Sequence, residues 1–187
     1  ASYKFTVDKI DSIAPSILGV ILPEDWTAAA KVSIVATDTE TGIAGYALTR
    51  SLAAPTDGWQ TSPDFTATAN GTYYAWAKDQ AGNTAYKYFY FNKIDTAAPS
   101  ISSVSVSTSW GSSNTVTISA TDAASGVAGY AVTSSNTVPL DGWQTSKSVD
   151  VNGNGTWYAW TKDNVGNIST GYEFTVSKVD STKPIVS

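Results

Sequence analysis

The sequence predicts an all-β chain that contains two tandem antiparallel β-sandwiches of about seven strands each. The first observation behind this prediction is a repeat with an offset of 84 residues, in which segment 57–62 returns unchanged as 141–146 and segment 70–76 returns as 154–160 with one substitution. A fixed period of this length indicates two copies of one folding unit. The second observation is that apolar and polar residues alternate with a period of two between Gly, Pro, Asn and Asp turn signals, which is typical of short strands.

The first half of the repeat contains four predicted strands. The first follows the Ala14-Pro15 turn, and the second alternates Val32, Ile34 and Ala36 with polar or smaller neighbours. The third begins after a small-residue loop, and the fourth is a short piece that starts at an Asp-Gly turn. The predicted bounds are 16–22, 30–37, 43–50 and 57–62.

The second half contains three predicted strands, at 64–69, 72–78 and 84–92. Phe65 belongs to the first of them, an Asn-Gly turn precedes the second, and a Gly-Asn turn precedes the third. Phe89 alternates with tyrosines in the third strand. Because the strands are short and numerous in fewer than about 90 residues, they favour two packed sheets over a single open sheet.

The repeat also predicts the domain boundaries. Residues 12–95 form the first sandwich and residues 96–180 the second. Residues 1–11 resemble the last strand of a unit followed by a linker, so we expect a remnant of an upstream repeat there. Residues 181–187 repeat the beginning of a unit and predict the start of a further one.

The composition excludes several classes of function. The chain has no Cys, His or Met, which excludes thiolate metal sites and the Ser-His-Asp and Cys-His catalytic arrangements. Its net charge is −5 and its 11 Lys and Arg residues are scattered, so we expect no nucleic-acid partner. No apolar run approaches the length of a membrane span, so we expect no membrane insertion. Carboxylates recur mainly in turns, and we expect no enzymatic activity.

Five sequence segments of the second copy together resemble bacterial immunoglobulin-like repeats, and the resemblance covers nearly the whole chain. It implies immunoglobulin-like sandwiches that belong to large exported proteins, secreted or attached to the bacterial cell surface. Such repeats serve as spacers, stalks, adhesin segments or companions of carbohydrate-active modules. A chain without Cys fits that origin. The segments are 116–122, 125–130, 154–158, 162–167 and 178–184.

Six aspartates are candidate metal ligands. In this topology the loops after the second and sixth predicted strands lie at the same pole as the start of the first strand, so three carboxylates converge in each copy. Oxygen clusters of this kind suit calcium, which takes 6–8 oxygen ligands; we predict no other cofactor. One carboxylate per loop supplies few of those oxygens, and we favour the alternative that these residues cap backbone amides in turns. The residues are Asp11, Asp38 and Asp79 in the first copy and Asp95, Asp122 and Asp163 in the second.

Exposed aromatic residues are the candidate ligand-binding residues. If Tyr73, Ala75 and Ala77 face inward, their neighbours face solvent, and the second copy has Glu173 and Thr175 in place of two tyrosines of the first. Such a row can stack on a polysaccharide or host glycan, or contact a protein. We favour the alternative that the rings only stabilise the sheet through cross-strand pairs. The residues are Tyr74, Trp76, Tyr86, Tyr88 and Tyr90 in the first copy and Tyr158 and Trp160 in the second.

The function that these observations favour is structural. We expect a non-catalytic spacer or stalk that positions other domains of the same polypeptide in an exported bacterial surface protein. One alternative is a carbohydrate- or glycan-binding module that uses the aromatic residues of the first copy. A second alternative is adhesion to a protein partner through the same face.

Overall fold

The computed structural model describes residues 2–4, 10–183 and 185. All regular elements in these ranges are β-strands, which confirms the predicted all-β class. The chain divides into two compact units, Ala1–Ile94 (unit 1) and Asp95–Ser187 (unit 2). The predicted remnant strand in residues 1–11 lies largely outside the described residues, as does part of the predicted further repeat at 181–187.

Unit 1 contains two three-stranded antiparallel sheets. The strand order is β1-β2-β4 in one sheet and β3-β5-β6 in the other. The strands β1, β2 and β4 correspond to the first, second and fifth of the seven predicted strands, and β3, β5 and β6 correspond to the third, sixth and seventh. This division between two sheets is that of an immunoglobulin-like sandwich. The strands are β1 (Ser16–Ile21), β2 (Ala30–Thr37), β3 (Ile43–Thr49), β4 (Asp64–Ala67), β5 (Gly71–Asp79) and β6 (Thr84–Phe91).

Unit 2 repeats this topology. Its sheets have the orders β7-β8-β10 and β9-β11-β12. The strands of unit 2 are β7 (Ser100–Val106), β8 (Asn114–Thr121), β9 (Val127–Thr133), β10 (Ser148–Val151), β11 (Gly155–Asp163) and β12 (Tyr172–Val176).

Each unit has six strands in its described residues, and the predicted strand at 57–62 is wrong. This segment makes one isolated bridge, in which the backbones of Gln60 and Tyr46 exchange hydrogen bonds of 2.7 and 3.0 Å. Gly58 has a φ of 72°, which breaks the extended conformation just before the bridge. The equivalent segment of unit 2 forms the same single bridge.

The core of each unit lies between its two sheets. In unit 1 the inward positions of β2 and β4 pack against those of β5 and β6, with Ala30, Val32 and Tyr73 at the centre. The corresponding core of unit 2 is formed by Val116 and Ile118 together with residues of the facing sheet. The period-two alternation of these strands therefore predicts the inward side chains correctly.

The last strand differs between the units. β6 is continuous and pairs with β5 from Gly71↔Phe91 to Lys78↔Thr84. In unit 2, Ser169 donates its backbone N–H to Thr161 at 2.9 Å, but the next ladder pair toward β12 is Ala159↔Tyr172. Trp160 thus lies opposite two residues, Thr170 and Gly171, which is a β-bulge, and it leaves β12 shorter than β6.

Candidate functional site

The structure brings the six candidate aspartates together as two triads. Asp95, Asp122 and Asp163 of unit 2 each place one carboxylate oxygen within 4.8 Å of the others. Asp11, Asp38 and Asp79 do the same in unit 1. Each set is called an acidic triad below. The three members come from the segment before the first strand, the end of the second strand and the end of the fifth strand of their unit.

The carboxylates that end the fifth strands accept the most hydrogen bonds. Asp163 is 2% exposed, and its Oδ1 accepts the backbone N–H groups of residues 165–167 at 2.6–2.9 Å. Its Oδ2 accepts a hydrogen bond from Asn167 Nδ2 at 2.7 Å. Asp79 accepts the backbone and side-chain N–H groups of Asn83 at 2.8 and 2.7 Å. These side chains therefore close the hairpin loops in which they lie.

The other two carboxylates of the unit 2 triad also accept backbone amides. Asp122 Oδ1 accepts the N–H of Gly126 at 2.7 Å. Asp95 Oδ1 accepts the N–H of Ala97 and Oδ2 that of Ser125, both at 3.0 Å. Hydrogen bonding from Ser125 is the largest cause that lowers the pKa of Asp95, and burial opposes this shift. Asp95 thus ties the start of unit 2 to the loop that precedes β9.

The triad of unit 1 follows the same scheme. Asp38 Oδ1 accepts the N–H of Gly42 at 2.7 Å. Asp11 accepts the Ile13 N–H through Oδ1 and the Thr41 hydroxyl through Oδ2. The hydrogen bond from the Thr41 side chain is the largest cause that lowers the pKa of Asp11.

Each triad combines negative charge with many hydrogen-bond donors. The ion pair found in the described ranges joins Lys31 and Asp64, so the triads are balanced there by N–H dipoles and not by cationic side chains. Three carboxylates offer at most six oxygens, and calcium needs 6–8. A calcium ion at a triad would share these oxygens with the amides that they already accept.

Two asparagines in each unit hold the segments that lead into and out of the sandwich. Asn70 exchanges two hydrogen bonds of 2.7 Å with the backbone N–H and C=O of Ile94, and Asn154 exchanges two of 2.8 Å with those of Val179. Asn83 Nδ2 donates to backbone carbonyls of the leading segment of unit 1, and Asn167 does so in unit 2. The sequence contains a signal for these clamps, because the four asparagines form two pairs at the repeat offset of 84, whereas the Asn-Gly and Gly-Asn pairs by themselves predict only turns.

Three of the candidate aromatic residues are exposed in unit 1. Tyr86, Tyr88 and Tyr90 on β6 are 48%, 69% and 66% exposed. Tyr74 on β5 is half-buried beside them, and its ring meets that of Tyr86 edge-on at 6.0 Å between centroids. The predicted outward direction of the β6 tyrosines is therefore correct.

The predicted exposure of Trp76 and Trp160 is wrong. They are 4% and 3% exposed, although both lie on the outward face of their sheet. The ring of Tyr86 covers Trp76 at 5.0 Å between centroids, and the Trp76 indole N–H donates to the Thr49 hydroxyl at 3.0 Å. The backbone of Gly171 lies so close to Trp160 that a Cβ there would stand 2.9 Å from the indole. Neighbouring residues of the same unit thus bury these rings.

Unit 2 has no matching row of tyrosines on β12. Glu173 pairs with Tyr158, as Tyr88 pairs with Tyr74 in unit 1. Tyr158 is half-buried and its hydroxyl donates to Glu173 Oε2 at 3.2 Å, a hydrogen bond that raises the pKa of Tyr158. The outward surface of this strand is therefore polar where that of β6 is aromatic.

Comparison with known proteins finds a similar solved structure but no matching family or curated sequence. No family model matches the chain, and no curated protein sequence matches it. Among solved structures, the chain is similar to chitinase ChiA74 from Bacillus thuringiensis, with 16% sequence identity and a TM-score of 0.37. The match covers 90% of this chain and 30% of the chitinase chain. No helix among the described residues has the length and apolarity to cross a membrane.

Proposed function

We propose that the chain is a non-catalytic structural module that spaces and orients other domains of an exported bacterial protein. Two tandem copies of one sandwich add length in regular steps. The composition, without Cys and with few charges, supports an exported protein. The resemblance of its motifs to bacterial immunoglobulin-like repeats supports the same proposal.

The observation that carries the proposal is the pair of asparagine clamps in each unit. A spacer transmits orientation only if each unit holds its own leading and trailing segments. Asn83 and Asn70 do this in unit 1, and Asn167 and Asn154 do it in unit 2. An amide that exchanges two hydrogen bonds with one backbone residue acts like a pair of strand hydrogen bonds. It adds to the single backbone bridge that each trailing segment makes, from Ile94 to Thr27 and from Val179 to Gly111.

The acidic side chains support a non-catalytic role. Glycosidic hydrolysis needs two carboxylates across a cleft that admits substrate. The triad carboxylates instead accept hydrogen bonds from the loops around them, such as the backbone amides of Gly126, Gly166 and Ser125. An open cleft of about 250 Å³ beside the bulge of unit 2 is lined by residues 98–101 and 169–172, none of which is acidic or basic. Another open cleft, of about 430 Å³ in unit 1, has one carboxylate in its lining, Asp64, which forms an ion pair with Lys31.

Distance measurements between two dyes test the spacer proposal. The chain lacks Cys, so single cysteines at Ser51 and at its repeat equivalent Ser135 can be labelled selectively. We expect one narrow distribution of inter-dye distances, about as narrow as that of a reference pair at Ser51 and Asn92 within unit 1. A distribution much broader than the reference would contradict a rigid spacer.

The clamp variants provide matched controls for the same experiment. Asn70→Ala releases Ile94, at the trailing end of unit 1, and should broaden the distribution between Ser51 and Ser135. Asn154→Ala releases Val179, which does not lie between the two dyes in the chain, and should leave the distribution unchanged. Equal effects of both variants would show that the clamps act only on general stability.

Within this function the acidic triads act as capping groups that fasten loops to the leading segment. Capping carboxylates need no ion, so we expect the same melting temperature, within about 1 °C, in calcium and in chelator. A calcium ion bound only by the folded state would raise stability by about 2.7 kcal/mol at 100 times its Kd. A rise of several degrees that disappears in Asp79→Asn and Asp163→Asn would replace capping by calcium binding.

A further inference from the structure

Unit 1 presents three exposed tyrosines in a straight row on one edge strand. Tyr86, Tyr88 and Tyr90 occupy alternate positions of β6, which is the outer strand of its sheet. Alternate residues of a strand lie about 6.6–6.8 Å apart on the same face, so the row is about 13 Å long. These three residues are called the tyrosine row.

Sheet stability accounts for only one member of the row. Tyr86 covers Trp76 and meets Tyr74, which explains its presence as a cross-strand partner. In the described residues, the rings of Tyr88 and Tyr90 make no aromatic pair of this kind. Unit 2 forms the same sheet with a glutamate and a threonine in their places, so the fold does not require them.

The size of the row argues against a protein partner. A fully covered aromatic side chain buries about 150–250 Å², so the exposed parts of the three tyrosines offer on the order of 300–450 Å². A stable protein interface needs about 800 Å² per partner. A surface of this area suits a narrow ligand that lies along the strand.

The chemistry of the row suits an uncharged ligand. The cross-strand partners of its members on β5 are Thr72, Tyr74 and Trp76, none of which is charged. Phenol rings offer an apolar face for stacking and a hydroxyl that both donates and accepts hydrogen bonds. Sugar rings without carboxylate or sulfate groups present the complementary combination of C–H faces and hydroxyls.

We propose that the tyrosine row binds an extended, uncharged, β-1,4-linked polysaccharide chain, with Tyr88 and Tyr90 stacking on its sugar rings. A straight row selects a polymer whose successive rings present flat faces along a line, and it disfavours a coiled α-linked polymer. This activity is additional to the spacer function and does not depend on it. Unit 2 has no such site on β12.

Affinity electrophoresis of the whole chain tests the proposal. The polymers are hydroxyethylcellulose and glycol chitin as soluble β-1,4-linked chains, with soluble starch as the α-linked control. We expect retardation by at least one of the first two polymers and none by starch. Because no charge takes part, retardation should persist in 1 M NaCl, where screening reduces the Debye length to about 3 Å.

Paired variants assign the effect to the row. Tyr88→Ala with Tyr90→Ala should weaken the apparent affinity about tenfold or more, whereas Tyr90→Trp, which keeps an aromatic face, should retain it. Tyr172→Ala removes a tyrosine of unit 2 that is 39% exposed and should have no effect. Circular dichroism checks that each variant is folded.

Three results would overturn the proposal. They are an unchanged mobility of the wild-type chain in both β-1,4-linked polymers, retardation by starch alone, and retardation that survives the double alanine variant. Sedimentation provides a further check, since a dimer that Tyr88→Ala with Tyr90→Ala dissociates would assign the row to self-association instead.

Discussion

The two units share their topology but cover the outward face of the same sheet differently. In unit 1 the side chain of Tyr86 covers Trp76, while in unit 2 the backbone beside Gly171 covers Trp160. The indole N–H donates to an equivalent threonine in both units, at 3.0 Å to Thr49 and at 2.8 Å to its counterpart. The buried tryptophan is therefore the shared requirement, and the element that covers it varies.

The same contrast extends along the last strand. Ala77 faces Ala85 in unit 1, whereas unit 2 has Thr161 and Ser169, which form a buried hydrogen bond of 3.0 Å. Unit 2 thus replaces aromatic cover by a bulge and polar contacts. The comparison teaches that the edge strand can change its surface while the strand order of the two sheets stays the same.

The largest expected effect tests whether both tryptophans are structural. Trp76→Ala and Trp160→Ala should each destabilise their unit by about 3–5 kcal/mol, because a large buried ring is lost. Guanidinium unfolding followed by circular dichroism measures the change. Tyr88→Ala is the control, and as an exposed substitution it should cost less than about 1 kcal/mol. If Trp76→Ala costs no more than the control, the ring does not lie where the structure places it.

Sequence reasoning predicted the strands and their inward faces because alternation and duplication are local signals. It failed at Trp76 because alternation shows which face a side chain points to, but not whether another residue covers that face. Tyr86 provides that cover from the neighbouring strand. Likewise, the segment that contains Gln60 has alternating residues, yet Gly58, which has a positive φ, ends the extended conformation beside its single bridge.

The acidic triads show which features of the site the sequence predicts and which it does not. Topology alone placed Asp95, Asp122 and Asp163 at one pole, and the structure brings their oxygens within 4.8 Å. The amide donors that these oxygens accept depend on loop conformation, which a single sequence does not specify. The bulge at Gly171 does have a sequence signal, because the repeat offset increases from 84 at Asn83 and Asn167 to 85 at Phe89 and Phe174.

The second prediction concerns Gly171, whose backbone covers Trp160 in unit 2. Gly171→Ala should destabilise unit 2 by about 1–3 kcal/mol, because the added Cβ meets the buried Trp160 ring. The corresponding variant of unit 1 is Tyr86→Ala, because Tyr86 covers Trp76 there. It only exposes the Trp76 ring and should lower the free energy of unfolding by about 1 kcal/mol or less. Chemical denaturation of both variants gives the comparison. A larger loss for Tyr86→Ala than for Gly171→Ala would reverse our account of the two covers.

The third prediction uses a core difference between the units. Asn114 is 2% exposed and its Nδ2 has no hydrogen-bond partner, whereas the equivalent residue of unit 1 is Ala30. An unsatisfied buried amide costs about 1–3 kcal/mol, so Asn114→Ala should stabilise unit 2, less the cost of a small cavity. The expected net gain is about 1 kcal/mol, measured as a rise in denaturation midpoint.

The reverse exchange is the matched control for this prediction. Ala30→Asn places the same unpaired amide in the core of unit 1 and should destabilise it by at least about 1 kcal/mol. A loss of stability in Asn114→Ala would mean that the amide has a partner, such as a buried water, that the hydrogen-bond pattern does not reveal.

The smallest expected effect is the acid sensitivity that Asp95 gives to unit 2. Hydrogen bonding from Ser125 lowers the pKa of Asp95 from its ordinary value in the folded state, while an unfolded aspartate titrates at about 3.9. A lowered pKa means that the stabilisation is complete above the unfolded value and is lost as the pH falls through the folded value. The melting temperature of the wild-type chain should therefore fall more steeply below about pH 4 than that of Asp95→Asn.

The chemical shift of the Ser125 amide, whose N–H donates to Asp95 Oδ2 at 3.0 Å, reports the titration directly. A midpoint at or above the unfolded value would show that burial equals or outweighs the hydrogen bonds, and that the ionised Asp95 does not stabilise unit 2 at neutral pH.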